Sequence, residues 1–332
     1  MTYDVLIVGA GHNGLIAGVR LAKAGWSVLI LEKEPRPGGA VLSEELTLPG
    51  FVHDVFSTNQ NLLLGSPFYA EHASALAKHG LKYAVGGKPY ANAFPDGTAL
   101  GVDQDLERTL ASLRERDPAD ADGWLRLQEL YDLFSPTLFS LYTAPVPSAA
   151  MTSALAKAAR RLRPRGLTRL AQLLASSTRE LGDAFFTTPA AKAMVACWGM
   201  HLDFGPDVAG GAMFPFLEIF TDQRQGMSIV EGGASRMVEA LVGLLKQYGG
   251  ELRVGAEVRQ ITTSGDTARQ VVLADGERIT ARRAIIANTT PTALFGRCHR
   301  AAHPGLPRPQ PARGPQSRPR RSSTLLTAVQ AR

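Results

Sequence analysis

Apolar residues change their spacing several times along this chain, and each change marks an element. "DVLIVGAG", residues 4–11, opens with an unbroken apolar run, the pattern of a parallel strand covered on both faces. "NGLIAGVRLAKAG" then places Leu15, Val19 and Ala22 on one helical face and stops at Gly25, a helix C-cap. "SVLILEK" is a second strand, so the opening predicts a right-handed βαβ unit. The next stretch, "PRPGGAVLSEELTLPGFVHDVFSTNQN", is rich in Gly, Pro and Asn and reads as a long ordered loop. "YAEHASALAKHG" is helical, and "GGKPYANAFPDG" is turn-rich. Helical patterning dominates from Asp105 to Leu181, with breaks expected at Pro118, Pro136, Pro145 and Pro164. "GAMFPFLEIF", residues 211–220, reads as extended and buried. Helix returns in "GGASRMVEALVGLLKQYGG", with Met237, Leu241 and Leu244 or Leu245 along one stripe. Strands follow in "ELRVGAEVRQITTSG" and "ARQVVLADGERITARRAIIAN", where "ADGE" is a hairpin turn. Past Leu294 the periodicity ends. "HPGLPRPQPARGPQSRPRRSS" cannot build a packed core, so a disordered C-terminal tail is expected over 297–332.

Composition narrows the class. The 332 residues are 45% hydrophobic and 20% charged, ordinary for a globular protein, and no apolar run approaches the roughly 18 residues of a membrane span. The first strand begins at once, so no presequence is expected ahead of it. The two cysteines, Cys197 and Cys298, stand far apart. That spacing argues against a disulfide framework, a zinc site or a dithiol redox centre, and favours a reducing, intracellular compartment, which is cytoplasmic if the chain is bacterial. Net charge is +6, but eight arginines and no acid fall within 297–332, leaving residues 1–296 at −2. The basicity belongs to the tail, no nucleic-acid motif accompanies it, and a nucleic-acid partner is not expected.

Candidate chemistry gathers at the first turn. Gly9, Gly11 and Gly14 have G-x-G-x-x-G spacing between a strand and a helix. Gly9 permits the tight turn, Gly11 lets the backbone approach a pyrophosphate, and Gly14 lets helix and strand pack. The helix N-terminus then offers N–H groups and a positive dipole end to the phosphates. Glu32 ends the second strand, 21 positions after Gly11, where a carboxylate accepts ribose hydroxyls and repels a 2′-phosphate. NADP is thereby disfavoured, while the motif alone leaves NAD and FAD open. Beyond Glu32 come Arg36 and a second glycine pair, Gly38 and Gly39, where an NAD-binding domain ordinarily enters its next helix. Glycine backbone there suits the extended arm of FAD. No second G-x-G-x-x-G serves a nicotinamide.

"YDVLIVGAGHNGLIAGVRLAKAGWSVLILEKEPRPGGAVLSEELTLPGF" resembles the N-terminus of the FAD-dependent phytoene desaturase and carotenoid isomerase superfamily. Within it, "GAGHNGL" followed by "GGA" and "PGF" is most like pyridine nucleotide-disulphide oxidoreductase domain-containing protein 2 and its bacterial relatives. The likeness resumes at "GMSIVEGGASRMVEALVGLLKQYGGELRVGAEVRQI" and "ARRAIIANTTPTALFG". It implies an α/β fold: a Rossmann-like FAD-binding domain of the GR2 flavoprotein type, made of 1–66 and 225–296, with an inserted, largely helical α+β substrate domain over 67–224. It also implies FAD contacts from Gly9, Ala10, Gly11, His12, Asn13, Gly14, Glu32, Lys33, Arg36, Gly38, Gly39, Ala40, Ala287, Asn288 and the backbone of Val258. His53 and Asp54 fall where the superfamily's chain passes near the flavin; the alternative is loop structure. Phe214 and Phe216, with Phe185, Phe186, Trp198, Phe204 and Phe220, would line a lipophilic tunnel, against ordinary core packing. His201 and Asp203 rank below them. The cluster Lys157, Arg160, Arg161, Arg163, Arg165 and Arg169 reads first as a solvated helix face and second as a peripheral membrane contact.

The implied activity is desaturation, dehydrogenation or isomerisation of a hydrophobic small molecule, with hydride transfer to FAD and no assignable catalytic triad. Two alternatives stand beside it: a protein whose flavin is structural and whose role is interaction, and an NAD-dependent dehydrogenase. The superfamily's pattern continues beyond "IIANTTPTALFG", whereas this chain turns to Pro, Arg, Gln and Ser, as an out-of-frame reading would. A truncated substrate domain and weakened activity are expected on that account.

Overall fold

A computed structural model describes residues 1–201, 204–264, 267–298 and 327–330. The chain forms two compact units, Met1–Ala84 with Ile229–Arg332, and the inserted Val85–Ser228.

The first unit is built on one sheet. Its central strand β1 (Thr2–Val8) pairs in parallel with β2 (Val28–Leu31) on one side and with the strand Arg278–Ala287 on the other. Glu251–Arg253 extends the sheet in parallel beyond β2, while Val258–Ser264 and Thr267–Leu273 extend it in antiparallel fashion beyond Arg278–Ala287. Two-residue alternation sorts the central side chains between two cores. Val5, Ile7, Val28 and Ile30 pack with α1 (His12–Lys23) and the helix Ser235–Gln247; Leu6, Val8, Leu29 and Leu31 pack with residues of the 258–287 strands. That two-sided burial is why the opening run is uniformly apolar. Gly25 takes φ +83° just past α1, as its terminator must. Between Leu273 and Arg278 the chain makes the expected hairpin, with Gly276 at φ +91°.

The first domain boundary lies at Ala84 rather than at residue 66. Phe68, Leu76 and Leu81, on and just after the helix Pro67–Lys78, sit in one core with Met237, Leu241 and Leu245, so that helix belongs to the nucleotide unit. The second boundary moves from 225 to 229. The expected disordered tail falls mostly outside the described residues. Its exceptions are residues 297–298, which end the helical turn Leu294–Cys298, and Thr327–Gln330, an antiparallel strand against Ala284–Ala287. "TAVQ" lacks the Pro and Arg of the preceding stretch, and the edge of Arg278–Ala287 offers it backbone partners.

The inserted unit is mainly helical around a core that includes Trp124, Phe134, Phe216 and Phe220. Pro118 opens the helix Pro118–Thr143 behind the cap Asp117, Pro145 lies between helices, and Pro164 follows a kink at Arg163 (φ 56°) inside Ala149–Ala175. Pro136 does not break its helix. A proline there leaves the Asp132 carbonyl without its helical donor, and the Arg161 guanidinium supplies one at 3.4 Å. Asp120, wholly buried, accepts hydrogen bonds from the backbone N–H and hydroxyl groups of Thr187 and Thr188, which lead into the helix Pro189–His201.

"GAMFPFLEIF" is helical, not extended: the helix is Met213–Gln225. Phe216, Ile219 and Phe220 are buried at helical spacing, and Pro215 falls in the first turn, where no N–H is required. On the same helix, burial, reinforced by the nearby Asp222 carboxylate, pushes Glu218 up to about 7. An unfolded glutamate titrates at about 4.3. Between those values the folded chain holds a proton that the unfolded chain has released, so stability falls as pH rises through the window. Glu218→Gln is expected to flatten that fall, read as denaturation midpoints at about pH 5 and about pH 8. An unchanged slope in the variant would place its origin elsewhere.

Candidate cofactor-binding site

The site starts where β1 runs out. Gly9 takes φ +101°, and a Cβ there would lie 2.3 Å from the Asn288 carbonyl oxygen. At Gly14 a Cβ would lie 2.4 Å from Gly9 O and 2.6 Å from Asn288 Nδ2. Both glycines are therefore demanded by the chain's own packing. Gly11 differs. Its backbone is ordinary (φ −65°, ψ 163°), and among the described residues beyond its chain neighbours an added Cβ would meet Asn288 Nδ2 alone, at 3.3 Å. The space beside it is open to a ligand. Gly11 is the N-cap of α1, no side chain among the described residues caps that end, no acid stands in its first turn, and the first intrahelical bond runs from Leu15 N to Gly11 O. The N–H groups of residues 12–14 thus have no intrahelical acceptor, which is the anion-binding arrangement of a helix N-terminus. His12 is half-buried in this turn, and burial pulls its pKa down, favouring a neutral ring.

The second glycine pair returns to the first. Gly38 N donates to Ala10 O at 2.9 Å, Gly11 and Gly38 form an isolated bridge, and a Cβ on Gly39 would lie 3.4 Å from Gly11 Cα. Gly38 and Gly39 have φ +128° and +62°, which favour glycine. Glu32, at the end of β2, is buried, and its carboxylate accepts from Ala10 N at 2.7 Å and Glu34 N at 3.0 Å. It clamps the glycine loop as well as standing where a ribose acceptor is needed; a carboxylate retains further acceptor capacity. Gly255 N and Ala256 N donate to Glu34 O and Glu32 O, drawing the chain leading to buried Val258 up to the same end of the sheet. Asn288, following buried Ala287, closes the far side: its N donates to Val8 O, Nδ2 donates to Gly9 O at 3.2 Å, and Oδ1 is buried without a partner among the described residues.

Lys33 is exposed and pairs with Glu34, and exposed Arg36 pairs with Glu44. Ala40 is exposed and Asn13 half-buried. His53, in β4 (His53–Asp54), pairs with Thr47, while β4 itself pairs with β3 (Ser43–Glu44), a short hairpin inside the predicted loop. Asp54 Oδ1 accepts from Ser43 Oγ and from Ala234 N, each at 2.7 Å. Ser43 and Ser235 exchange backbone-to-hydroxyl hydrogen bonds, so Ser43 and Asp54 together cap the helix Ser235–Gln247. Sequence reasoning missed Ser43 and Ser235; the glycine pair Gly232–Gly233 before that helix was the available signal. Asp54→Ala is expected to destabilise by about 1 kcal/mol through the lost cap. A shift in denaturation midpoint would show it, and an unchanged midpoint would return Asp54 to a purely functional reading. Phe214 and Phe216 lie in the inserted unit. Phe216 is closed in its core, whereas half-buried Phe214 stacks on His201 and meets Trp198 edge-on. Phe186 and Phe220 join Phe216 in the core, Phe185 packs against it, and Phe204 is exposed. Asp203 lies outside the described residues.

A family model described as flavin containing amine oxidoreductase matches residues 14–319. The chain belongs to that family. The match continues past residue 296, into the stretch read from sequence as tail. Among curated proteins the chain is 28% identical over 308 residues to one of the limonene dehydrogenase chains of Castellaniella defragrans, covering 88% of this chain and 53% of that one. It is 29% identical to hydroxyneurosporene desaturase of Cereibacter sphaeroides, over 89% and 57% of the two chains. With pyridine nucleotide-disulfide oxidoreductase domain-containing protein 2 of Rattus norvegicus it shares 26% identity, over 88% and 54%. The chain thus spans about half the length of these relatives. A solved putrescine oxidase variant superposes with TM-score 0.56 at 18% identity, over 93% of this chain and 62% of that one, a likeness of fold. Membership of this flavin-containing family makes FAD the cofactor of the chain. The residues present fit it: among the described residues Gly11 leaves an open approach beside a helix end that no side chain caps, and the buried Asn288 Oδ1 is without a partner.

Proposed function

We propose that this chain is the FAD-holding part of an oxidoreductase that desaturates, dehydrogenates or isomerises a hydrophobic molecule. The observation that carries this reading is the meeting of the two glycine pairs, Gly9–Gly11 and Gly38–Gly39, beside Glu32. A nicotinamide site needs the first pair only, and the second gives an extended dinucleotide arm somewhere to lie. The limonene dehydrogenase and hydroxyneurosporene desaturase relatives, named for apolar molecules, support the substrate class. In this reading Gly11 and the first turn of α1 hold the pyrophosphate, Glu32 holds the ribose, and the Val258 backbone takes the adenine end. Lys33, Arg36, Ala40 and Asn13 border the same cofactor. FAD, when bound, accepts the hydride. Phe214, the member of the Phe214–Phe216 pair left outside the core, would meet the substrate together with Trp198 and His201.

Anaerobic addition of limonene, carotenoid precursors and lipid extracts to the FAD-loaded chain tests the reading. Bleaching of the flavin absorbance by an apolar compound supports it. Stoichiometric FAD that no compound reduces would favour a structural flavin. A colourless chain that binds NAD would overturn the cofactor assignment as well.

A further inference from the structure

The helices Pro118–Thr143 and Ala149–Ala175 carry features that cofactor binding does not use. A groove of about 690 Å³ lies between them, lined by Lys157 and Arg161, by Thr137, Ser140 and Thr143, and by small residues such as Ala154. Between Asp132 and Glu180 the sequence has seven basic residues and no acidic one. Among the described residues, Lys157, Arg160, Arg161, Arg163, Arg165 and Arg169 form no ion pair. Large apolar side chains stand in water beside these cations. Tyr142 is 80% exposed and Val146 76%, flanking the lining residues Thr143, Ala144 and Pro145; Leu155, next to the lining Ala154, is 53% exposed. A solvated helix face accounts for the cations but not for the apolar rim.

We propose that this groove and its rim dock on an anionic phospholipid bilayer, Lys157 and Arg161 taking a lipid phosphate and Tyr142, Val146 and Leu155 entering the acyl boundary. Charge complementarity and the rim choose this occupant together. Nucleic acid or free phosphate would satisfy the cations and leave the apolar side chains in water. A bilayer presents phosphate and an apolar layer on one surface. The inference is independent of the flavin reading, because no cofactor residue takes part.

Vesicle flotation of the full chain tests it, using phosphatidylcholine vesicles with and without phosphatidylglycerol. Binding is expected only to the anionic vesicles. Lys157→Ala should weaken it by about fivefold or more, since each cation at such a surface contributes about that factor. Tyr142→Ser and Val146→Ser, exposed and unable to disturb the core, should weaken it comparably; circular dichroism checks that each variant is folded. Equal binding to neutral vesicles would overturn the proposal, as would indifference to the Tyr142 and Val146 substitutions. A larger loss from Arg169→Ala than from Lys157→Ala would remove the groove as the headgroup site. Full displacement from vesicles by inorganic phosphate at matched ionic strength would make the site one for free phosphate and overturn the lipid assignment.

Discussion

A Gly11→Val chain is expected to fold and to purify without FAD. The position separates cofactor binding from folding, because its backbone angles suit any residue and, among the described residues beyond its chain neighbours, an added Cβ would meet Asn288 Nδ2, the end of a side chain, at 3.3 Å. Valine there fills the space through which a pyrophosphate approaches the loop. Gly14→Val makes the contrasting case. Its Cβ would collide with backbone at Gly9 O, so it should lower stability and lose FAD together. Flavin absorbance after purification and thermal melts of both variants read the difference. Retention of FAD by a folded Gly11→Val chain would reduce the loop to a turn.

Glu32→Ala is expected to cost both stability and FAD affinity. Reading the sequence alone assigns this carboxylate to the ribose, which predicts weaker binding with folding untouched. In the structure the same group is buried and holds the N–H groups of Ala10 and Glu34. Hydrogen bonds to a charged group contribute about 1.5–3 kcal/mol, and the alanine leaves the Ala10 N–H without its acceptor. FAD affinity should fall by about tenfold to a hundredfold, the same range expressed as a binding constant. Glu32→Gln, which keeps an acceptor for Ala10, should recover most of the melting temperature and less of the affinity. A drop in melting temperature with FAD affinity intact would confine Glu32 to clamping the loop.

The resemblance carried by the glycine motifs agrees with the family match, which covers most of the chain. The parts legible in sequence were those whose determinants lie close together. Strand, glycine turn, helix and second strand fall within residues 2–32, and the stripe Met237–Leu241–Leu245 lies within one helix. The same holds for the hairpin at residues 274–277, whose turn chemistry is local.

What tertiary structure decided was where the polar groups at element ends find partners. Asn288 reaches back to Gly9 across 279 positions, and Asp54 reaches Ala234 across 180, giving the candidate near-flavin acid a helix end to cap. Pro136 stays inside a helix because Arg161, 25 positions later, supplies a donor to the carbonyl that proline leaves bare. Phe214 and Phe216 look alike in sequence, but helical geometry turns one to the core and leaves the other at its edge. The domain boundary moved for the same reason, since only packing against Met237 and Leu241 assigns Phe68 and Leu76 to the nucleotide unit. By itself the sequence determined the nucleotide-binding element, because its backbone conformations need glycine at set positions and its strands need apolar residues on both faces. Which carboxylates, carbonyls and aromatic rings remain available for chemistry depends on contacts between residues far apart in the chain, and only the folded structure settles that.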